Sequence, residues 1–223
     1  MTNVRPLNNQ DIETLDGDIR QIHKRQKFTL KYFAGYALLV IIGSTWGYFK
    51  IDPENFGAWL FTSIGFMIAG LWGFFEIYNR DNKAFKRIAW LKNENKVLSI
   101  AVKSADYIAI PEHEDEGDHF LFQLPDNKIL YVGGQEFYTS DTFPNNDFEI
   151  VIATDPKKKI VLLNKYDFGD KIPPKIKLTK TQSIKFSDTQ IKEIQDQDPI
   201  VREFATFIPG DIHEIKIVDK ANT

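Results

Sequence analysis

The densest concentration of groups able to do chemistry is the run Glu112, His113, Glu114, Asp115, Glu116, Gly117, Asp118, His119. Carboxylate oxygens suit calcium or magnesium, and two imidazoles would draw a transition metal. His113, Glu114, Asp118 and His119 are therefore the metal candidates. Their spacing fits neither a calcium-binding EF-hand loop nor the helical histidine pair of a zinc protease. A charge run between two strands is ordinarily a solvated loop, and the expectation is an acidic loop holding no metal and no cofactor.

A second cluster follows at Gly133, Gly134, Gln135, Glu136, Phe137 and Tyr138. Paired glycines after a strand invite comparison with phosphate loops, but neither the dinucleotide fingerprint nor the Walker lysine is present. The glycines read as a bulge or turn that lets backbone approach closely. If the strand edge faces a ligand, Gln135, Glu136 and Tyr138 are its contacts, with Asp147 from the next turn. Phe143, Pro144, Asn145, Asn146 and Asp147 read as a turn closed by side-chain to backbone bonds. Lys157, Lys158 and Lys159 read as a solvated hairpin tip, with anionic headgroups as the alternative contact. There is no cysteine and no serine elbow, and the four histidines are His23, His113, His119 and His213. No catalytic constellation emerges, so the chain is expected not to be an enzyme. Were it one, Glu136, Asp147, Glu149 and Asp167 would be the places to look.

Short apolar runs separated by turn residues carry these clusters: Val97–Val102, Tyr107–Ile110, Phe120–Leu124, Ile129–Val132, Phe148–Ala153, Ile160–Leu163, Ile176–Leu178 and Ile215–Val218. They predict strands. Pro125-Asp126-Asn127 and Asp155-Pro156-Lys157 predict hairpin turns. A helix capped by Ser187 or Asp188, and a turn from Pro199 to Phe204, interrupt the series. Residues 97–223 thus predict a mainly-β domain, an antiparallel small barrel or sandwich.

The remaining segment is of another kind. Eighteen uncharged residues lie between Lys31 and Lys50, and twenty-one between Glu54 and Glu76. At about 1.5 Å per residue these cover roughly 27 and 31 Å, the thickness of a bilayer's hydrocarbon core. Aromatic residues bracket both runs, as rings seated at headgroup level do. The expectation is a two-helix transmembrane hairpin over 32–78, preceded over 1–31 by a cytosolic amphipathic helix with a break at Gly17, and followed over 79–96 by a helical connector. Arg20, Lys24, Arg25, Lys27 and Lys31 precede the first run, Arg80, Lys83, Lys86, Arg87 and Lys92 follow the second, and the loop between has only Lys50. That asymmetry predicts both termini in the cytoplasm, with the loop on the other side of the membrane. No ionisable residue lies inside either run, which argues against a transporter. Gly43, Gly47, Ala69 and Gly73 put small residues on one face of each helix. They predict either close packing of the two helices or self-association.

From Arg80 onward the chain has 21 Lys and Arg against 24 Asp and Glu. An acidic domain disfavours sequence-independent nucleic-acid binding. The order of parts, two N-terminal spans and then a compact β-domain, resembles the membrane-anchored β-barrel effectors of bacterial cyclic-nucleotide antiphage systems. The stretches LPDNK, YVGGQEFY and FPNNDFEIV also resemble segments of uncharacterised bacterial membrane proteins. The first resemblance implies a sensing domain coupled to helices that assemble. The expectation drawn from the residues is a membrane-tethered, non-enzymatic binding or scaffold domain for an unknown protein or small molecule. The alternatives are a small-molecule-sensing effector whose helices oligomerise and disrupt the membrane, and a membrane-anchored enzyme.

Overall fold

Asn8 opens the first helix through a reciprocal capping box: its side chain accepts from the Asp11 backbone N–H at 2.8 Å, and the Asp11 carboxylate accepts from the Asn8 N–H at 2.9 Å. From that cap α1 runs over Asn9–Lys50, and Pro53 then starts α2, Pro53–Glu94. The computed structural model describes residues 2–112 and 117–219. Asn95 ends α2 in the left-handed conformation, and its side chain accepts the Leu7 N–H at 3.0 Å, so one residue ties off both ends of the hairpin.

The two helices run antiparallel along their whole length. Lys92 pairs with Asp16 at 2.7 Å, His23 lies against Phe85, Gln26 donates to Asn82, Arg25 pairs with Asp81, and Phe33 lies against Phe74. At its far end Tyr48 meets Phe56. Helices of 42 residues are roughly 63 Å long, twice a hydrocarbon core. The sequence suggested a separate amphipathic segment broken at Gly17. The helix instead passes through Gly17 without interruption. Leu15 and Ile22, buried on either side of that glycine, hold the helix through it against a cost of about 1 kcal/mol. Leu15 and Ile22 are buried in this charged half, as are Ile88 and Leu91 on α2. Both helices are long and apolar enough to cross a membrane, and their apolar windows are unburied.

The small residues act differently from expectation. Gly47 lies under the ring of Trp59, where a Cβ would come within 2.2 Å, and Gly70 lies under Tyr36, where a Cβ would again come within 2.2 Å. The Tyr36 hydroxyl then donates to the Phe66 carbonyl at 2.6 Å. Aromatic rings, not a second small residue, fill the gap, because each ring needs a bare backbone to lie on. Gly43 and Gly73 have nothing within 4 Å of an added Cβ, and Ala69 is exposed. Of the four residues expected at the helix contact, Gly47 is there and its counterpart is Gly70.

The β-domain is a second compact unit, made of residues 1–6 and 96–223. Its strands are β1 (Thr2–Arg5), β2 (Val97–Lys103), β3 (Tyr107–Ile110), β4 (His119–Leu124), β5 (Lys128–Gly133), β6 (Asp147–Thr154), β7 (Ile160–Asp167), β8 (Ile176–Lys177), β9 (Gln182–Lys185), β10 (Ala205–Pro209) and β11 (Lys216–Asp219). Two short helices, α3 (Asp188–Gln195) and α4 (Pro199–Phe204), precede β10. One sheet has the order β1-β2-β6-β7, the second β10-β5-β4-β3-β8, and β11 and β9 form a separate antiparallel pair. Pairing is antiparallel except between β3 and β8.

Ile100, Val102, Phe148, Ile150 and Ile152 of the first sheet meet Tyr107, Phe120, Phe122, Leu130 and Val132 of the second. Phe122 and Phe148 have ring centroids 4.8 Å apart, and Phe143 stands edge-on to Phe148. The second sheet is also covered on its other face. There Ile108, Leu121, Ile129 and Ile208 pack with Leu178, Ile184, Phe186, Ile194 and Ile217. The architecture is therefore an open sandwich with an added third layer, and not a closed barrel: β1 does not pair with β10, nor β7 with β8. Side-chain amides stand in for the missing strands. Gln197 accepts from the Phe207 N–H at 2.9 Å and donates to the Phe207 carbonyl, and Gln190 donates to the Pro209 carbonyl at 2.8 Å, which satisfies the β10 edge. Past the ends of β6 and β7, the Asn146 side chain accepts the Asp170 N–H at 3.0 Å while its own N–H bonds the Asp170 carbonyl, which continues the pairing of those two segments.

Two outcomes follow for stability. Gly70→Leu, which drives a side chain into the Tyr36 ring, costs about 1–3 kcal/mol, whereas Gly73→Leu is near neutral, as read from the unfolding midpoint of the full chain in a mild detergent. Gln197→Ala leaves the Phe207 N–H and carbonyl without a partner and costs about 1–3 kcal/mol, seen as a lower urea midpoint at unchanged slope.

Candidate functional site

The acidic run and the glycine pair, far apart in sequence, meet at one end of the second sheet. β3 delivers Glu112 two residues past its end, β4 begins with His119, and β5 ends at Gly133 opposite it. The chain then makes a 3-10 turn over Gln135–Phe137, pinned by buried Phe137, and brings Tyr138 and Thr139 back. One Glu112 oxygen accepts from the Tyr138 hydroxyl and from the Gly117 N–H, each at 3.2 Å. One Asp118 oxygen accepts from the Thr139 hydroxyl at 2.7 Å and its N–H at 2.9 Å. Gly117 has φ +89°, and a Cβ there would come within 2.5 Å of the Gly134 carbonyl, so this crossing of two loops requires glycine.

His119 lies flat over Gly133, with its Nδ1 2.8 Å from the Tyr131 hydroxyl and the two rings nearly parallel at 5.7 Å. Two cavities flank Glu112. The first, about 410 Å³, lies between the outer face of the second sheet and the layer of β9 and α3. Ile110, Tyr131, Ile184, Phe186, Ile194 and Ile208 give it apolar walls, and His119, Glu112, Thr179, Lys180, Gln182, Ser183 and Thr206 are its polar groups. The second, about 590 Å³, opens at the β8 seam, with Tyr107, Phe120, Ile172 and four prolines against Glu112, Asp118, Lys171 and Lys177. Burial holds the Tyr107 phenol above its ordinary pKa, so it is neutral there. A larger cleft of about 840 Å³ runs beside the β1 and β10 edges, where Lys103, Lys128, Asp126, Glu193 and Asp196 mix both signs of charge. The 410 Å³ cavity best matches a small-molecule site, being apolar-walled with a few convergent polar groups.

The sequence candidates fall into three places. Tyr138 bonds Glu112 at the rim, while Gln135 and Glu136 are exposed on the turn and line neither flanking cavity. Asp147 is elsewhere, at the start of β6, where it pairs with Lys103 at 3.4 Å and its carbonyl accepts the Phe168 and Gly169 N–H groups. It does not join the other three, because β6 belongs to the opposite sheet. Asp118 and His119 diverge, one lining each cavity, since neighbouring residues entering a strand point to opposite faces. His113 and Glu114 lie outside the described residues. Among the described residues no group of three or more metal-ligating side chains converges.

Tyr131, Ser183, Ile184 and Phe186 are site residues that sequence reading did not single out. Tyr131 had a usable signal: it shares the outer face with His119 by strand alternation and register. The β9 residues had none, since Gln182–Lys185 becomes a strand only by pairing with β11 near the C-terminus. No family model matches this sequence, and no curated protein or solved structure is significantly similar to it.

Proposed function

We propose that this is a two-span protein of a bacterial plasma membrane whose cytosolic β-domain is a non-enzymatic binding module, with the cavity beside His119 and Tyr131 as its small-molecule site. The observation that carries the topology is the pairing of Thr2–Arg5 with Val97–Ile100. It commits the chain on either side of the hairpin to one domain, hence to one side of any membrane the hairpin crosses. The outward apolar side chains support insertion: Phe61 is 80% exposed, Phe49 74% and Trp72 73%. Such a continuous surface is costly in water and natural in lipid. The cations flanking both runs favour the cytoplasm for that domain.

A binding role is preferred to catalysis because the acidic residues best suited to chemistry have structural partners. Glu149 accepts from Ser99 and pairs with Arg5 at 2.6 Å, and Asp167 binds Lys165 at 2.6 Å and Thr142 at 2.9 Å. A second reading, the sensing effector, draws on one observation. Ala69 and Gly73, four residues apart, are not taken up by the contact with α1, which leaves a small-residue face for another copy.

In cells, the full chain is expected to resist extraction by alkaline carbonate, with tags at both ends reachable by protease only after the plasma membrane is opened; release by carbonate refutes the membrane reading. In detergent, a low-molecular-weight fraction of cell extract is expected to raise the thermal midpoint of the wild type and not of Ile184→Trp, whose indole fills the cavity. Equal shifts in both proteins refute this cavity as the site, and a fraction-driven rise in mass favours the assembling effector.

A further inference from the structure

The antiparallel register of the hairpin gathers charges that are scattered in sequence. Arg25 pairs with Asp81 and Gln26 bonds Asn82, which sets Lys24 level with Lys83 and Lys27 level with Arg80. Lys31 lies level with Glu76, at the edge of both apolar runs. Lys24, Lys27, Lys31, Arg80, Lys83 and Lys86 are all exposed, and none makes an ion pair among the described residues. Of the two carboxylates in this stretch, Asp81 is occupied by Arg25, leaving Glu76 against six cations.

We propose that this collar is a binding surface for anionic phospholipid headgroups. The inference rests on the membrane reading above and adds which lipids the hairpin holds. Geometry favours lipid over any soluble polyanion. The collar begins where the apolar surface ends, and at about 1.5 Å rise per residue Lys24 and Lys83 stand only about 10 Å from that edge, within a lysine's length of a headgroup layer. Phe28, Tyr32 and Tyr78 are exposed at the same level, and aromatic rings favour that interface. Five lysines and an arginine on two tied helices cannot spread apart to relieve their repulsion. Phosphate between them removes the repulsion and gains a charge-assisted hydrogen bond at each ammonium.

The test uses full-length protein in neutral detergent, titrated with phosphatidylglycerol or phosphatidylcholine and read by retained lipid in native mass spectrometry and by thermal midpoint. Phosphatidylglycerol is expected to be retained and to stabilise, phosphatidylcholine much less, with the preference lost at about 0.5 M salt. The variant Lys24→Gln, Lys27→Gln, Lys83→Gln, Lys86→Gln is expected to retain at least about tenfold less phosphatidylglycerol, with unchanged helix content and a midpoint in detergent alone no lower than that of the wild type. Equal retention of the two lipids by the wild type overturns the proposal, as does a preference that survives high salt or persists in a folded variant. Should the variant misfold, the salt dependence of the wild type decides. Carbonate release from cell membranes would instead sink the membrane reading itself, whereas a carbonate-resistant chain with no lipid preference sinks the collar alone.

Discussion

A four-residue strand holds together the segments that enter and leave the helical hairpin. Thr2–Arg5 pairs with β2 after the chain has gone out and back through the whole hairpin, and so short an edge strand offers little area of its own. Closing a loop of that length costs conformational entropy, though the cost grows only slowly with length. Much of it is met elsewhere, because the paired helices already bring Leu7 within hydrogen-bonding distance of Asn95. Arg5 then fixes the strand by its bond to Glu149, which Ser99 also holds. Without that contact the chain ahead of α1 would be a tail; with it, the hairpin is an excursion out of a single domain.

The sandwich stays open along β10 because glutamine side chains, and not β1, meet that edge. Glutamine side chains carry the same donor and acceptor pair as a peptide, and Gln197 presents both to Phe207 as a neighbouring strand would. Gln123 does similar work, donating to the Leu124 and Lys128 carbonyls across the hairpin turn and accepting the Ile212 N–H. Edges satisfied in this way do not invite another chain. They also leave room between the sheets, and each of the two seams has a cleft along it.

The parts of the fold legible in sequence were those fixed by local pattern. Uncharged runs bounded by aromatics marked both helices, short apolar runs marked eight of the eleven strands among the described residues, and Ser187 or Asp188 marked the start of α3. What stayed hidden depended on distant partners. β1, β9 and β10 are short segments that become strands only beside β2, β11 and β5. The helix contact was half visible: a spacing of four picked out Gly47 but also Gly43, and nothing local distinguishes a glycine that lies under Trp59 from one that faces outward. The acidic run and the glycine turn were each singled out, and their meeting through Glu112 and Tyr138 was not, because it depends on the order of strands in the sheet.

The length of the helices beyond their apolar runs has an electrostatic meaning. From Glu76 to Glu94 α2 adds 19 residues, about 28 Å of rise. With the apolar runs seated in a bilayer, the end of α2 stands roughly 20 Å above the headgroups. That is more than two Debye lengths at physiological salt. The surface potential of an anionic leaflet is screened almost to nothing there. In the membrane reading proposed above, the point where α2 gives way to β2 therefore lies beyond the reach of that potential.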